Sequence, residues 1–159
     1  MTGIFQRAAA LLVGCLATIA TGQSLIDAEN LLIAQPPGFK IGYQSGHDNR
    51  SITEYVPVTE TVEDWTQMLT VQVFRHATVD SALFLQGLGK RYMDDCPGTT
   101  AFRIIKGNDA LYSVQRAWRS VPSDADLNAV MQTLAQVTVC DTRSADHACP
   151  SFDSLLPGK

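Results

Sequence analysis

Residues 102–118 contain the signal that most constrains the fold of this 159-residue chain. Two runs rich in β-branched and aromatic residues, Phe102 to Ile105 and Ala110 to Trp118, are separated by a short polar turn. This pattern predicts an antiparallel hairpin. Gly107 and Asn108 are expected to supply the positive φ angles that a tight turn requires. The hairpin therefore indicates that the chain builds an antiparallel sheet.

Arg116 interrupts the second of these runs. The residues that share its face of the predicted strand are Tyr112, Val114 and Trp118. An isolated charge is costly to bury among such side chains. We therefore expect Arg116 to be exposed at an edge of the sheet or to be paired.

An earlier hairpin and three helices complete the predicted secondary structure. In the hairpin, Phe39, Ile41 and Tyr43 alternate with polar or small residues, and a second β-rich run extends from Ile52 to Val56. The predicted helices run from Thr61 to Val73, from about Val79 to Met93 and from Ser123 to Val137, after a helical or irregular lead-in at 23–35. These elements predict an α+β fold, in which an antiparallel sheet of two hairpins is covered by about three helices.

The first 22 residues are typical of an export signal. A short start with one basic side chain precedes thirteen uncharged residues, Ala8 to Ala20. This run is too short to cross a bilayer, which needs about 20 apolar residues. We expect cleavage between Gly22 and Gln23, no stable membrane span afterwards, and a periplasmic or secreted protein. Alternatively, Leu12 to Cys15 fits a lipobox, and lipidation of Cys15 would give an outer-membrane lipoprotein.

The charge distribution argues against nucleic acid as a partner. The sequence has 12 basic and 16 acidic residues, and loss of Arg7 with the leader would leave 11 against 16. The charges are scattered singly, whereas binding to nucleic acid requires clustered Lys and Arg. After the leader, 159 − 22 = 137 residues remain, the size of one domain. We expect residues 36–150 to form a single α+β domain and residues 151–159 to form a flexible tail.

Three cysteines, Cys96, Cys140 and Cys149, lie beyond the leader, so one disulfide is expected in an oxidising compartment. The loop between Cys140 and Cys149 is polar and needs a cross-link to hold a shape, which favours this pair. A bond from Cys96 to either of the other two is the alternative. His147 and its acidic neighbours match no zinc-binding spacing. We therefore expect neither a metal site nor a cofactor.

No catalytic motif stands out in the sequence. The leading hypothesis is an exported, non-enzymatic binding or accessory module, whose partner is an unknown envelope protein or a small ligand. Trp65, Trp118 and Tyr112 are candidates for a groove that would take this partner. One alternative is a small periplasmic hydrolase or thiol enzyme, with Cys96 as nucleophile and His76 as base. Another is a lipoprotein subunit of a larger envelope complex.

Four motifs resemble those of a family of uncharacterised exported (periplasmic) proteobacterial proteins. They are PPGFK at 36–40, TEYVP at 53–57, ETVEDWT at 60–66 and ALYSVQRAW at 110–118. The resemblance covers about residues 36–150 and implies export, but it implies no activity. Similar proteins have an extra strand-forming stretch with its own cysteine where Thr100 here passes directly to Ala101. The comparison implies that this chain has lost a strand and a thiol.

Overall fold

The computed structural model describes residues 28–95 and 100–150, and for residues 91–95 it describes the backbone alone. The strands in these ranges are β1 (Glu29–Leu32), β2 (Phe39–His47), β3 (Arg50–Pro57), β4 (Gln67–Arg75), β5 (Thr100–Lys106), β6 (Ala110–Trp118) and β7 (Thr138–Asp141). The helices are α1 (Ser81–Asp95) and α2 (Asp124–Gln136). Strands β2 to β6 form a five-stranded antiparallel sheet in the order β2-β3-β4-β6-β5, and β1 pairs with β7 in a separate two-stranded sheet.

The predicted α+β fold with about three helices is wrong, because the described chain is mostly β-sheet with two helices. The segment from Thr61 to Val73 accounts for most of the error. Its second half forms β4 at the centre of the sheet, where Met68 through Gln72 are all buried. A strand buried on both faces lacks the polar alternation of a half-buried strand, so its apolar residues also fit a helical period.

The first half of that segment is a loop rather than a first helical turn. Thr61, expected to begin a helix, uses its hydroxyl to accept the backbone N–H of Asp64 at 3.2 Å. Glu60 accepts the backbone N–H and the hydroxyl of Thr66, at 2.6 and 2.8 Å. These acidic and hydroxyl side chains therefore fold the loop that leads into β4.

Both predicted hairpins are present, as β2–β3 and β5–β6. The geometry of the second turn differs from the prediction, since neither Gly107 nor Asn108 has a positive φ. Instead, the backbone N–H of Asn108 donates to the carboxylate of Glu29 at 2.5 Å. Glu29 belongs to β1, which the sequence predicted as part of a helical or irregular lead-in. The prediction failed there because β1 has only four residues, too few to show the alternation of apolar and polar side chains that indicates a strand.

The two helices agree with two of the three predicted ones. Asp80 caps α1 by accepting the N–H groups of Ala82 and Leu83. The hydroxyl of Ser123 accepts the N–H of Asp126 at 3.1 Å, which confirms the predicted start of α2. None of the helices in the described ranges is long and apolar enough to cross a membrane.

The main core lies between α2, the end of β1 and one face of the five-stranded sheet. Its buried members are Leu69, Ala101, Val114, Trp118, Leu134 and Val137, with Leu31, Ile33, Tyr55, Ile105, Leu127 and Val130 packed around them. Burial of this apolar surface is the main stabilising contribution here, at about 25 cal/mol per Å². The candidate site described below opens into this core.

Candidate functional site

Arg116 is buried inside the sheet rather than exposed at an edge. It lies on β6, which has β4 on one side and β5 on the other, and only 7% of its surface is exposed. No ion pair joins it to a carboxylate in the described part of the chain. The expectation of an edge position is therefore wrong, and its partners are uncharged groups.

Three neutral groups surround the Arg116 guanidinium. Its Nη2 donates to Oε1 of Gln67, the cross-strand neighbour of Trp118, at 2.6 Å. Its central carbon lies 4.2 Å from the ring centroid of Phe39 and 5.9 Å from that of Trp118. These contacts stabilise a cation by hydrogen bonding and by cation–π attraction. They do not neutralise its charge.

The Nε–H of Arg116 is buried and has no hydrogen-bond partner among the described residues. Burial lowers the pKa of Arg116 to about 10, because desolvation disfavours the charged form. The side chain is therefore still protonated at neutral pH. A buried cation with a free donor is costly to maintain.

A small pocket opens beside this guanidinium, between α2, the segment after β1 and the sheet. We call it the α2 pocket, and its volume is about 90 Å³. Its lining residues are Ile33, Ala34, Pro36, Leu69, Arg116, Val130, Thr133, Leu134 and Val137. Arg116 is the one charged residue in this lining, and the hydroxyl of Thr133 already donates to the backbone carbonyl of Ala129 at 2.9 Å. The α2 pocket is thus an apolar recess with a single cationic group.

A second pocket, of about 310 Å³, lies beside the β5–β6 turn. Its acidic residues already have partners: Glu29 binds the turn and the Tyr112 hydroxyl, and Asp141 binds Arg143. Hydrogen bonds from Arg143 lower the pKa of Asp141 to about 2. Arg103 and Lys106 also line this pocket, so groups of both signs are mixed there. Because groups of both signs line it, this pocket indicates the charge of a ligand less clearly than the α2 pocket does.

The three residues proposed for a groove are not among the lining residues of either pocket. Trp118 and Tyr112 are buried in β6, and the hydroxyl of Tyr112 donates to Glu29 at 3.1 Å. Trp65 is half-buried in the loop before β4, under the guanidinium of Arg119 at 5.1 Å. None of the three lines the α2 pocket or the pocket beside the turn. The groove stays a prediction.

The favoured disulfide between Cys140 and Cys149 is confirmed, with Cα atoms 4.8 Å apart. Cys96 lies outside the described residues, as do Cys15 and the expected cleavage site at Gly22 and Gln23. Within the described ranges, no three His, Cys, Asp or Glu side chains are grouped as a metal site would require.

In comparisons with protein-family models, with curated proteins and with solved structures, we found no match to this chain. The α2 pocket is therefore the feature from which we infer a function. One sequence signal pointed to it, because Arg116 stands alone on an apolar strand face. Which residues would surround that charge depended on the pairing of β6 with β4 and on the position of α2.

Proposed function

We propose that this protein is an exported, non-enzymatic binding module, and that its ligand is a small, largely apolar molecule held in the α2 pocket. The observation behind the proposal is a concave apolar recess at the main core whose described lining residues include one cation, Arg116. Apolar recesses with a few polar groups are typical of ligand sites. Sites for drug-sized ligands measure roughly 300–1,000 Å³, so a pocket of about 90 Å³ suits a small molecule.

The chemistry of the lining favours binding over catalysis. Of the nine lining residues, only Arg116 and Thr133 have polar side chains. A guanidinium that is protonated at neutral pH cannot act as a general base, and the described residues that line the pocket include no carboxylate, imidazole or thiol. The groups present can orient a ligand and exclude water from it.

A titration with 1-butanol, followed through the methyl resonances of the protein, tests this proposal. Saturable shifts are expected at Leu69, Val130 and Leu134, which line the pocket. Thr133→Leu adds an apolar side chain to the lining and should weaken binding at least about fivefold. Gln132→Leu adds the same side chain to the neighbouring, exposed position of α2 and should leave binding unchanged. Saturable shifts that avoid these methyls, or no saturable shifts at all, would rule the site out.

The export part of the proposal is supported by the Cys140–Cys149 bond, because disulfides persist mainly in oxidising compartments. Mass spectrometry of the protein from the periplasmic fraction tests it. A mature chain that begins at Gln23 is expected. A chain that begins at an acylated Cys15 would instead indicate a lipoprotein, and an intact leader on protein in the cytosol would contradict export.

A further inference from the structure

We propose that the α2 pocket selects a short aliphatic carboxylate, whose anionic head binds Arg116 while its tail contacts the apolar lining. The inference rests on the proposed function and adds the chemical class of the ligand.

The charge of Arg116 is not balanced by any carboxylate in the described ranges. Arg116 is 7% exposed, it has no carboxylate partner in the described ranges, and its Nε–H is a buried donor without an acceptor. A monoanion in the α2 pocket would supply the missing charge. A guanidinium presents its donors in a planar fork that fits a carboxylate, so this head group matches the geometry of the donor.

The apolar lining of the α2 pocket restricts the rest of the ligand. Seven of the nine lining residues are aliphatic or proline: Ile33, Ala34, Pro36, Leu69, Val130, Leu134 and Val137. A phosphate dianion would need a second cation, which the described lining residues do not provide. An ammonium group would be repelled by the positive charge of Arg116. A cavity of about 150 Å³ admits the six carbons of benzene, so a pocket of about 90 Å³ encloses about four non-hydrogen atoms. A carboxyl carbon with a tail of about three carbons fits this space when the carboxylate oxygens lie at the mouth of the pocket, against Arg116.

Calorimetric titrations of the purified protein with butyrate, 1-butanol and butylamine test the inference. The three compounds have tails of similar size and differ mainly in the charge of the head group. Butyrate should bind about tenfold more tightly than 1-butanol, equivalent to about 1.4 kcal/mol, and butylamine should bind most weakly. If 1-butanol binds as tightly as butyrate, the carboxylate inference is wrong and the proposed binding function stands. If none of the three compounds binds, the proposed function is wrong as well.

Variants at Arg116 assign the preference to its charge. Arg116→Met removes the charge and keeps an unbranched side chain, so the preference for butyrate over 1-butanol should fall from about tenfold to about one. Arg119→Met is the matched control, because Arg119 is exposed and pairs with Asp64 outside the pocket. It should keep the full preference. Retention of the preference in Arg116→Met would overturn the inference.

A second variant guards against a folding defect. Arg116→Lys keeps the positive charge but loses the planar fork, so it should retain a weakened preference for butyrate, about two- to fivefold. Thermal melting followed by circular dichroism checks that each variant is folded. If Arg116→Met does not fold, an undiminished tenfold preference in Arg116→Lys would contradict the proposed fork-to-carboxylate contact.

Discussion

The guanidinium of Arg116 stacks on the ring of Phe39, 4.2 Å from its centroid, although 77 residues separate the two in sequence. Phe39 is the first residue of β2 and follows a turn at Pro36 and Gly38. In that turn the N–H of Phe39 donates to the carbonyl of Pro36 at 3.1 Å, and Gly38 has a φ of 76°. A positive φ is readily available to glycine. The turn therefore brings an aromatic ring to cover one side of a buried cation.

Arg116→Met is expected to change the free energy of unfolding by less than about 1.5 kcal/mol. The variant loses the cation–π contacts and the bond to Gln67, but it also removes a desolvated charge that has no counter-ion among the described residues. Urea unfolding measures the difference. Val114→Ala, at a fully buried position of the same strand, should cost about 2 kcal/mol or more. A loss above about 3 kcal/mol in Arg116→Met would mean that the cation is itself a major stabilising group.

Alanine at two glycines is expected to have opposite effects on stability. A Cβ on Gly107 would overlap the carboxylate of Glu29, which is only 2% exposed and is held by Asn108 and Tyr112. Gly107→Ala should therefore cost about 1–3 kcal/mol, the range for a disrupted buried hydrogen bond. Gly87 lies in α1, and a Cβ there meets nothing within 4 Å.

Gly87→Ala should accordingly stabilise the protein by about 0.5–1 kcal/mol, since alanine is the better helix former. Thermal and urea unfolding of the two variants beside the wild type give the comparison. Equal effects of the two substitutions would show that Glu29 moves aside at no cost, and that it does not anchor the β5–β6 turn.

Asp141 should make the stability depend on pH in the acid range. Hydrogen bonds from Arg143 hold the pKa of Asp141 at about 2 in the folded protein, below the ordinary value of about 3.9. Because the pKa is lower in the folded state, the stabilisation is fully present above about pH 4 and is lost as the pH falls towards 2. Asp141→Asn should therefore melt below the wild type at pH 7, and the gap should close by about pH 2.

The neighbouring exposed residue gives the control for this titration. Asp146→Asn should follow the wild-type curve at every pH, since Asp146 is exposed and accepts none of the hydrogen bonds that hold Asp141. Melting temperatures from pH 2 to pH 7 measure both variants. A constant gap between Asp141→Asn and the wild type across this range would exclude the carboxylate as its cause.

The local signals in the sequence identified two elements correctly. The alternation at Phe39, Ile41 and Tyr43 predicted β2, although Ile41 and Tyr43 are exposed and the strand is not half-buried as that pattern suggests. The cap at Ser123 predicted α2. Both follow from contacts within a few residues. The disulfide between Cys140 and Cys149 was favoured for a similar reason, because the loop that it closes is short.

The sequence was misleading where a strand is buried on both faces, because such a strand lacks the alternation of apolar and polar residues that marks a half-buried strand. Strand β4 is central, so Leu69 and Thr70 are both buried although they point to opposite faces of the sheet. The environment of Arg116 could not be derived from sequence for a related reason. It depends on Gln67 across the β4–β6 ladder, on Phe39 from another hairpin and on the placement of α2. These are long-range contacts that no local pattern specifies.

The Nε–Hε resonance of Arg116 in a ¹H–¹⁵N spectrum tests the central claim most directly, because this N–H belongs to the guanidinium that the carboxylate would bind and has no partner among the described residues. The resonance is assigned by its disappearance in Arg116→Lys. On titration with butyrate it should move with saturation, as a carboxylate binds beside the guanidinium, while the Arg119 resonance stays in place. An Arg116 resonance that does not move at butyrate concentrations that saturate the calorimetric signal would contradict the account.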